Sequence, residues 1–334
     1  MTRRESNKIT YMYFITSVLV ILIHSVNNDT MFQKFFSISG IGQFAVPLFF
    51  ILSGFLFFRN IDTISDVKKK LKKRIYTLFA PYIIWNLIYY AIHLILNPGI
   101  GISITAINDA AFNYAYNPTF WFIQQLILLN AISFGLFYLL KDMKLILIIF
   151  IFMMLLVVFR IDIPYINEDA IIYYFSGATF SKLYNTNKID FISKRNFVLT
   201  MTLTILLFAL NRFLFANIRN DFTVNLFTLS TILVRFSAAL TIFYITDLFF
   251  NYDKTYSFME HTFMLYAIHY MIVRAIAHLV QYVTFKLLSG DAVIIFETAA
   301  FICSPIICVT INYYLSRYLK TNFNKLYMTL TGNR

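Results

Sequence analysis

Charged side chains are scarce in this 334-residue chain, at 13% of the total, about half of the quarter that soluble domains carry. That supply cannot cover a water-facing surface of ordinary size. With 59% apolar residues and a mean hydropathy of +0.69, the chain reads as an integral membrane protein. Acidic residues are scarcer still, 16 against 28 Lys and Arg, which leaves a formal charge of +12. Such a charge invites a nucleic-acid reading, but the basic residues fall in short loops between apolar runs and form no soluble basic domain. Cysteine is limited to Cys303 and Cys308 within one apolar run, so neither a disulfide framework nor a metal-ligand spacing is visible. There is no Gly-x-Ser-x-Gly, phosphate loop, dinucleotide fingerprint or internal repeat, and these absences exclude several soluble enzyme classes. The short alternating segments of a membrane barrel are also missing.

What is present is helical and aromatic. Phe (38) and Tyr (23) dominate the 19% aromatic content, as in a bundle with lipid-facing Phe and interfacial Tyr. Ten apolar runs approach spanning length: 9–26, 41–58, 75–96, 120–140, 143–159, 170–183, 197–210, 222–250, 262–285 and 292–319. The expectation is an all-α polytopic membrane protein, a bundle of about ten transmembrane helices forming one domain over 1–334. The first run lacks a small-residue cleavage site and reads as a retained signal-anchor. With the N-terminus inside, 21 of the 28 Lys and Arg fall on inner segments and five on outer loops, the asymmetry of the positive-inside rule. Both termini are then cytoplasmic.

Few groups can carry chemistry. His24 is the one ionisable group near the far end of the run 9–26, with Ser25, Asn27, Asn28 and Asp29 just beyond. It is either a site residue facing a polar interior or a solvated marker of the helix end. Arg235 and Arg274 lie deep in apolar runs, where a charge lines a cavity or finds a partner; Glu297 is a candidate counter-ion. His269 and Arg274 are five residues apart, so they point about 140° apart on a helix and do not share one small target. His93 and His278 lie near helix ends and read as interfacial. The basic segment 59–74 either sets topology or docks an anionic cytosolic ligand through Lys69, Lys72, Lys73 and Arg74. The outer loop 97–119, with Tyr116, leads to Trp121; it either roofs an external site and stacks on a sugar or merely connects.

Several stretches, in order, resemble acyltransferase family 3, the polytopic membrane enzymes that O-acylate bacterial surface sugars. They are LVILIHS (19–25), AVPLFFILSGFLFF (45–58), KKRIYTLFAPYIIW (72–85), WFIQQLI (121–127), YYFSGATFSK (173–182) and SFMEHTFMLYAIHYMI (257–272). The resemblance spans essentially the whole chain. It implies a multi-pass O-acetyltransferase of the bacterial plasma membrane, moving an acyl group from cytosolic acetyl-CoA to a hydroxyl of a surface glycan or lipid-linked sugar, without metal or nucleic acid. His24 then corresponds to the family's essential histidine, Arg74 to its basic loop residue, and Tyr266 with His269 to its late motif. His24 would act as general base or acyl carrier and Arg235 or Arg274 as oxyanion stabiliser. The Lys68–Arg74 cluster would hold the phosphates, Ser53 beside Gly54 would admit a thin acyl arm or pack helices, and Asp29, Tyr116 and Trp121 would meet the acceptor. One departure is Tyr13, where the family commonly carries Arg or Lys; Lys8 is the nearest substitute. The rival reading is a transporter or flippase for a glycan or lipid-linked sugar, whose intramembrane Arg and His would gate or bind; a non-catalytic sensor or scaffold is a third.

Overall fold

The computed structural model describes residues 1–25, 31–37, 40–99, 101–185 and 196–333. Fifteen α-helices follow in chain order: α1 (Arg3–His24), α2 (Met31–Phe36), α3 (Ala45–Phe58), α4 (Ile64–Arg74), α5 (Ala80–Leu96), α6 (Ile104–Asn113), α7 (Trp121–Ala131), α8 (Ser133–Leu139), α9 (Met143–Val158), α10 (Glu168–Asn185), α11 (Phe197–Ala216), α12 (Asp221–Phe249), α13 (Thr262–Leu287), α14 (Asp291–Asn322) and α15 (Asn324–Thr331). Among the described residues there is no β-strand.

Seven helical stretches among the described residues are long and apolar enough to cross a membrane: Arg3–His24, Phe32–Phe58, Ile64–Leu96, Phe197–Ala216, Asp221–Phe249, Thr262–Leu287 and Asp291–Asn322. An eighth arises if the pair on either side of Ile132, bent by 58°, counts as one span. The sequence led to ten, and the physical reasons for the difference are local. The run 120–140 is broken at Ile132. α9 has 16 residues, about 24 Å at 1.5 Å per residue, short of a hydrocarbon core of about 30 Å. α10 carries Glu168, Asp169 and Lys182 within 18 residues.

The chain divides into two compact units, each assembled from separated segments: 1–13, 43–70 and 128–255 in the first, 14–42, 71–127 and 256–334 in the second. In the first, α3 and α10 pack backbone to backbone through a pair of glycines. A Cβ on Gly54 would overlap the Tyr174 carbonyl, and one on Gly177 would overlap the Ile51 carbonyl. Small residues at such a crossing let membrane helices approach closely. α11 is tied to α12 by Asn211, whose amide donates to Ser230 Oγ (2.9 Å) and Thr231 Oγ1 (2.8 Å). Charges are paired within the same unit. Lys8 Nζ, fully buried, lies 2.9 Å from both oxygens of Asp247, which also accepts from Tyr252 OH at 2.9 Å. Lys70 Nζ donates to the Phe57 (2.6 Å) and Arg59 carbonyls, closing the end of α3.

In the second unit the last turn of α4, from Leu71, leads into α5 through a π-helical turn at Ile75–Phe79, where the Ala80 N–H reaches back to the Ile75 carbonyl. The turn precedes Pro81, which has no N–H for the ordinary bond four residues back. Gly332, at φ +65°, packs directly on the Thr77 backbone there, where a Cβ would collide. The indole N–H of Trp85 donates to the Leu330 carbonyl (2.9 Å), fastening α15 to α5.

Two predictions follow from the first unit. Lys8→Met strands the Asp247 carboxylate and is expected to cost about 3–5 kcal/mol, while Lys8→Met/Asp247→Asn recovers most of it; thermal unfolding in detergent measures both. Gly177→Val is expected to leave no folded protein on size exclusion, whereas Gly135→Ala, with nothing within 4 Å of the new Cβ, is neutral or stabilising by up to about 1 kcal/mol.

Candidate functional site

His24 is the last residue of α1, and Ser25 continues its bonding pattern through Oγ and N–H bonds to the Ile21 carbonyl (2.7 and 3.0 Å). The His24 ring is exposed, and its centroid lies 5.5 Å from that of His269 and 6.0 Å from that of Tyr270, both on α13. An accessible imidazole therefore stands against a buried one, His269 being 1% exposed. Both belong to the second unit.

The His269 ring is held by its own helix. Nδ1 lies 2.6 Å from the Tyr266 carbonyl; a carbonyl only accepts, so Nδ1 carries the proton and Nε2 is the bare nitrogen. Nε2 is buried and, among the described residues, has no hydrogen-bond partner. The helix is secured on both sides of this turn. Tyr266 OH donates to the Thr119 carbonyl, and Tyr89 OH donates to the Ala267 carbonyl at 2.9 Å. Thr119 is fixed in turn by its hydroxyl and N–H bonds to Asn117 Oδ1 (2.7 and 3.3 Å). The Tyr266 ring stacks on Phe120 (centroids 6.0 Å, planes 16° apart). The end of the loop 97–119 thus positions the turn that carries His269. Tyr89, Thr119 and Tyr270 were not singled out from sequence; only the adjacency of Tyr270 to His269 could have pointed to one of them.

The other sequence-derived candidates divide. Arg274 is exposed, so it does not sit in a dry interior; with His269 buried five residues earlier on the same helix, the two point to different surroundings, as the 140° offset requires. Arg235 belongs to the first unit, where Nη1 pairs with Asp169 Oδ2 at 2.7 Å. The pair ties α12 to the first turn of α10, where a carboxylate suits the helix dipole. Among the described residues Glu297 forms no ion pair and its Oε2 has no hydrogen-bond partner, so none of the described arginines pairs with it. Lys8, the expected substitute for a cation at Tyr13, is committed to Asp247, and Tyr13 packs on Phe49 (centroids 5.5 Å).

Lys69, Lys72 and Lys73 are exposed on one face of α4 and Arg74 is half-buried at its end. Ser53 is half-buried beside Gly54, which packs closely on α10. Tyr116 sits between Tyr90 and His93 (centroids 4.9 and 4.7 Å), and Trp121 is half-buried at the start of α7. Asp29 lies outside the described residues.

α13 is also anchored where it begins. His261 Nδ1 lies 2.7 Å from Tyr327 OH, and the His261 carbonyl accepts from Asn312 Nδ2 at 3.3 Å. Burial, reinforced by the charge of Lys320 and opposed by Glu260, holds His261 below the ordinary histidine value. The unfolded chain takes up this proton more readily than the folded one. Stability from this group is therefore complete above the unfolded value near 6.5 and is lost as pH falls below it. Between about pH 7.5 and 5.5, the melting temperature of the wild type should fall further than that of His261→Gln; parallel pH series of thermal unfolding compare them.

Residues 7–317 match a family model described as an acyltransferase domain. No curated protein and no solved structure matches the chain.

Proposed function

This chain belongs to acyltransferase family 3, and from that premise we propose that it is a membrane O-acyltransferase of the bacterial plasma membrane, with both termini cytoplasmic. It would move an acyl group, acetyl in the first instance, from a cytosolic coenzyme A thioester to a hydroxyl of an extracytoplasmic or lipid-linked glycan. The observation that carries the reading is the exposed His24 ring standing 5.5 Å from the buried His269 ring in a chain that matches the family over nearly its whole length.

His24 is the general base in this reading. Its imidazole takes the proton of the acceptor hydroxyl as that oxygen attacks the thioester carbonyl carbon. When the tetrahedral intermediate collapses, the carbon–sulfur bond breaks and the imidazolium returns its proton to the departing sulfur. An imidazole serves both steps because its ordinary pKa of about 6.5 lies near working pH. His269, fixed as the Nδ1–H tautomer, presents no second proton at Nε2 and acts beside His24 as a neutral, water-excluding neighbour. Lys69, Lys72 and Lys73 share one face of α4 and fit the donor's phosphates by charge and spacing; no carboxylate is paired with them in the structure among the described residues.

The test is incubation of purified protein with radiolabelled acetyl-CoA, with and without His24→Ala. Loss of a general base is expected to slow thioester consumption by about 10²–10⁴-fold while membrane insertion and size-exclusion behaviour stay unchanged. Protein-bound label accumulating on the wild type without acceptor would make His24 an acyl carrier instead. Undiminished turnover in His24→Ala would sink the assignment.

A further inference from the structure

Four helices of the first unit leave a gap where they meet, a cavity of about 130 Å³ walled by Met12 of α1, Leu52 of α3, Ser176 of α10, and Ala239, Leu240 and Phe243 of α12. Ten of its eleven lining side chains are apolar. The eleventh, Ser176, already donates its hydroxyl proton to the Ile172 carbonyl at 2.7 Å. A water molecule needs two to four polar partners, and the lining offers at most one, the acceptor lone pairs of Ser176 Oγ. Apolar cavities of this order, about 150 Å³, stay dry and take up hydrocarbon guests.

The position of the cavity identifies the guest. Met12, Leu52 and Ala239 lie well inside helices that are long and apolar enough to cross a membrane, so the surrounding medium at their level is hydrocarbon. Leu240, on the cavity rim, is 44% exposed, whereas Met12, Leu52 and Ala239 are 0–4% exposed. The opening therefore faces sideways into the bilayer, and what fills it from that side is an alkyl chain. One wall has a further consequence. Lys8 Nζ sits 3.5 Å from the centroid of the Phe243 ring, so whatever occupies the cavity lies on the apolar flank of the buried Lys8–Asp247 pair and keeps water from it.

We propose that this cavity binds the terminal segment of a membrane phospholipid acyl chain, which enters past Leu240 and completes the packing of α1, α3, α10 and α12 around the buried ion pair. The site is independent of acyl transfer, and its test reads no catalytic activity.

The full chain is placed in nanodiscs containing a phosphatidylcholine with a diazirine at the end of one acyl chain. After irradiation, labelled residues are identified by peptide mass spectrometry. Label is expected on Met12, Leu52 and Ala239, and much less when the diazirine is placed next to the glycerol. Ala239→Leu and Ser176→Leu fill the space and should each cut this labelling by about an order of magnitude, leaving the labelling of exposed Leu206 and Phe213 on α11 unchanged. Label on α11 with none on the buried cavity residues in the wild type overturns the proposal, and that comparison stands even if both variants misfold. Labelling that persists in a folded filled variant also overturns it. So does displacement of the label by an equimolar polyprenyl phosphate, which would make the cavity a site for a lipid carrier.

Discussion

Hydrocarbon offers no hydrogen-bond partners, so each polar group carried into these helices has to find one within the protein or remain at considerable cost. The first unit meets this constraint with charge pairs: Lys8 against Asp247 with Tyr252, and Arg235 against Asp169. The second meets it with neutral bonds to backbone carbonyls. His269 donates to Tyr266, Tyr89 to Ala267 and Tyr266 to Thr119. A buried pair broken on one side is worse than none, so these contacts hold the helices in register and not merely together.

The neutral solution matters for chemistry. A histidine whose Nδ1 proton is committed to a carbonyl has its tautomer and ring plane decided before any substrate arrives. His24, by contrast, is exposed at the end of its helix, and the turn at Ser25 holds it there without consuming either ring nitrogen in a described bond. On the proposed reading of His24 as the base, an accessible imidazole beside a fixed, buried one is the preorganised arrangement that acyl transfer would use.

Backbone contact is the other organising device. The Ser53-Gly54 step looks, in sequence, like an entry for a thin ligand or a packing contact. A Cβ on Gly54 or Gly177 would collide with the facing helix, so Gly54 itself is a close packing contact. The same holds for Gly332 on the Thr77 backbone, which closes the end of the chain over the π-helical turn before Pro81.

Local composition and periodicity were enough to read a helical membrane protein, the single titratable group at the end of the first helix and the 140° separation of His269 from Arg274; the family came from the resemblance of six ordered stretches and not from composition. Each depends on residues near one another in the chain, where helix geometry converts spacing into direction. The partners of the buried groups could not be read in that way. Asp169 lies 66 residues from Arg235, Asp247 lies 239 from Lys8, and Thr119 lies 147 from Tyr266. Nor could the break at Ile132, the exposure of Arg274, or the absence of a partner for Glu297 Oε2 among the described residues. Which distant group satisfies a buried one is settled by how the helices pack in three dimensions, because in a water-free interior only contact can supply the missing bond.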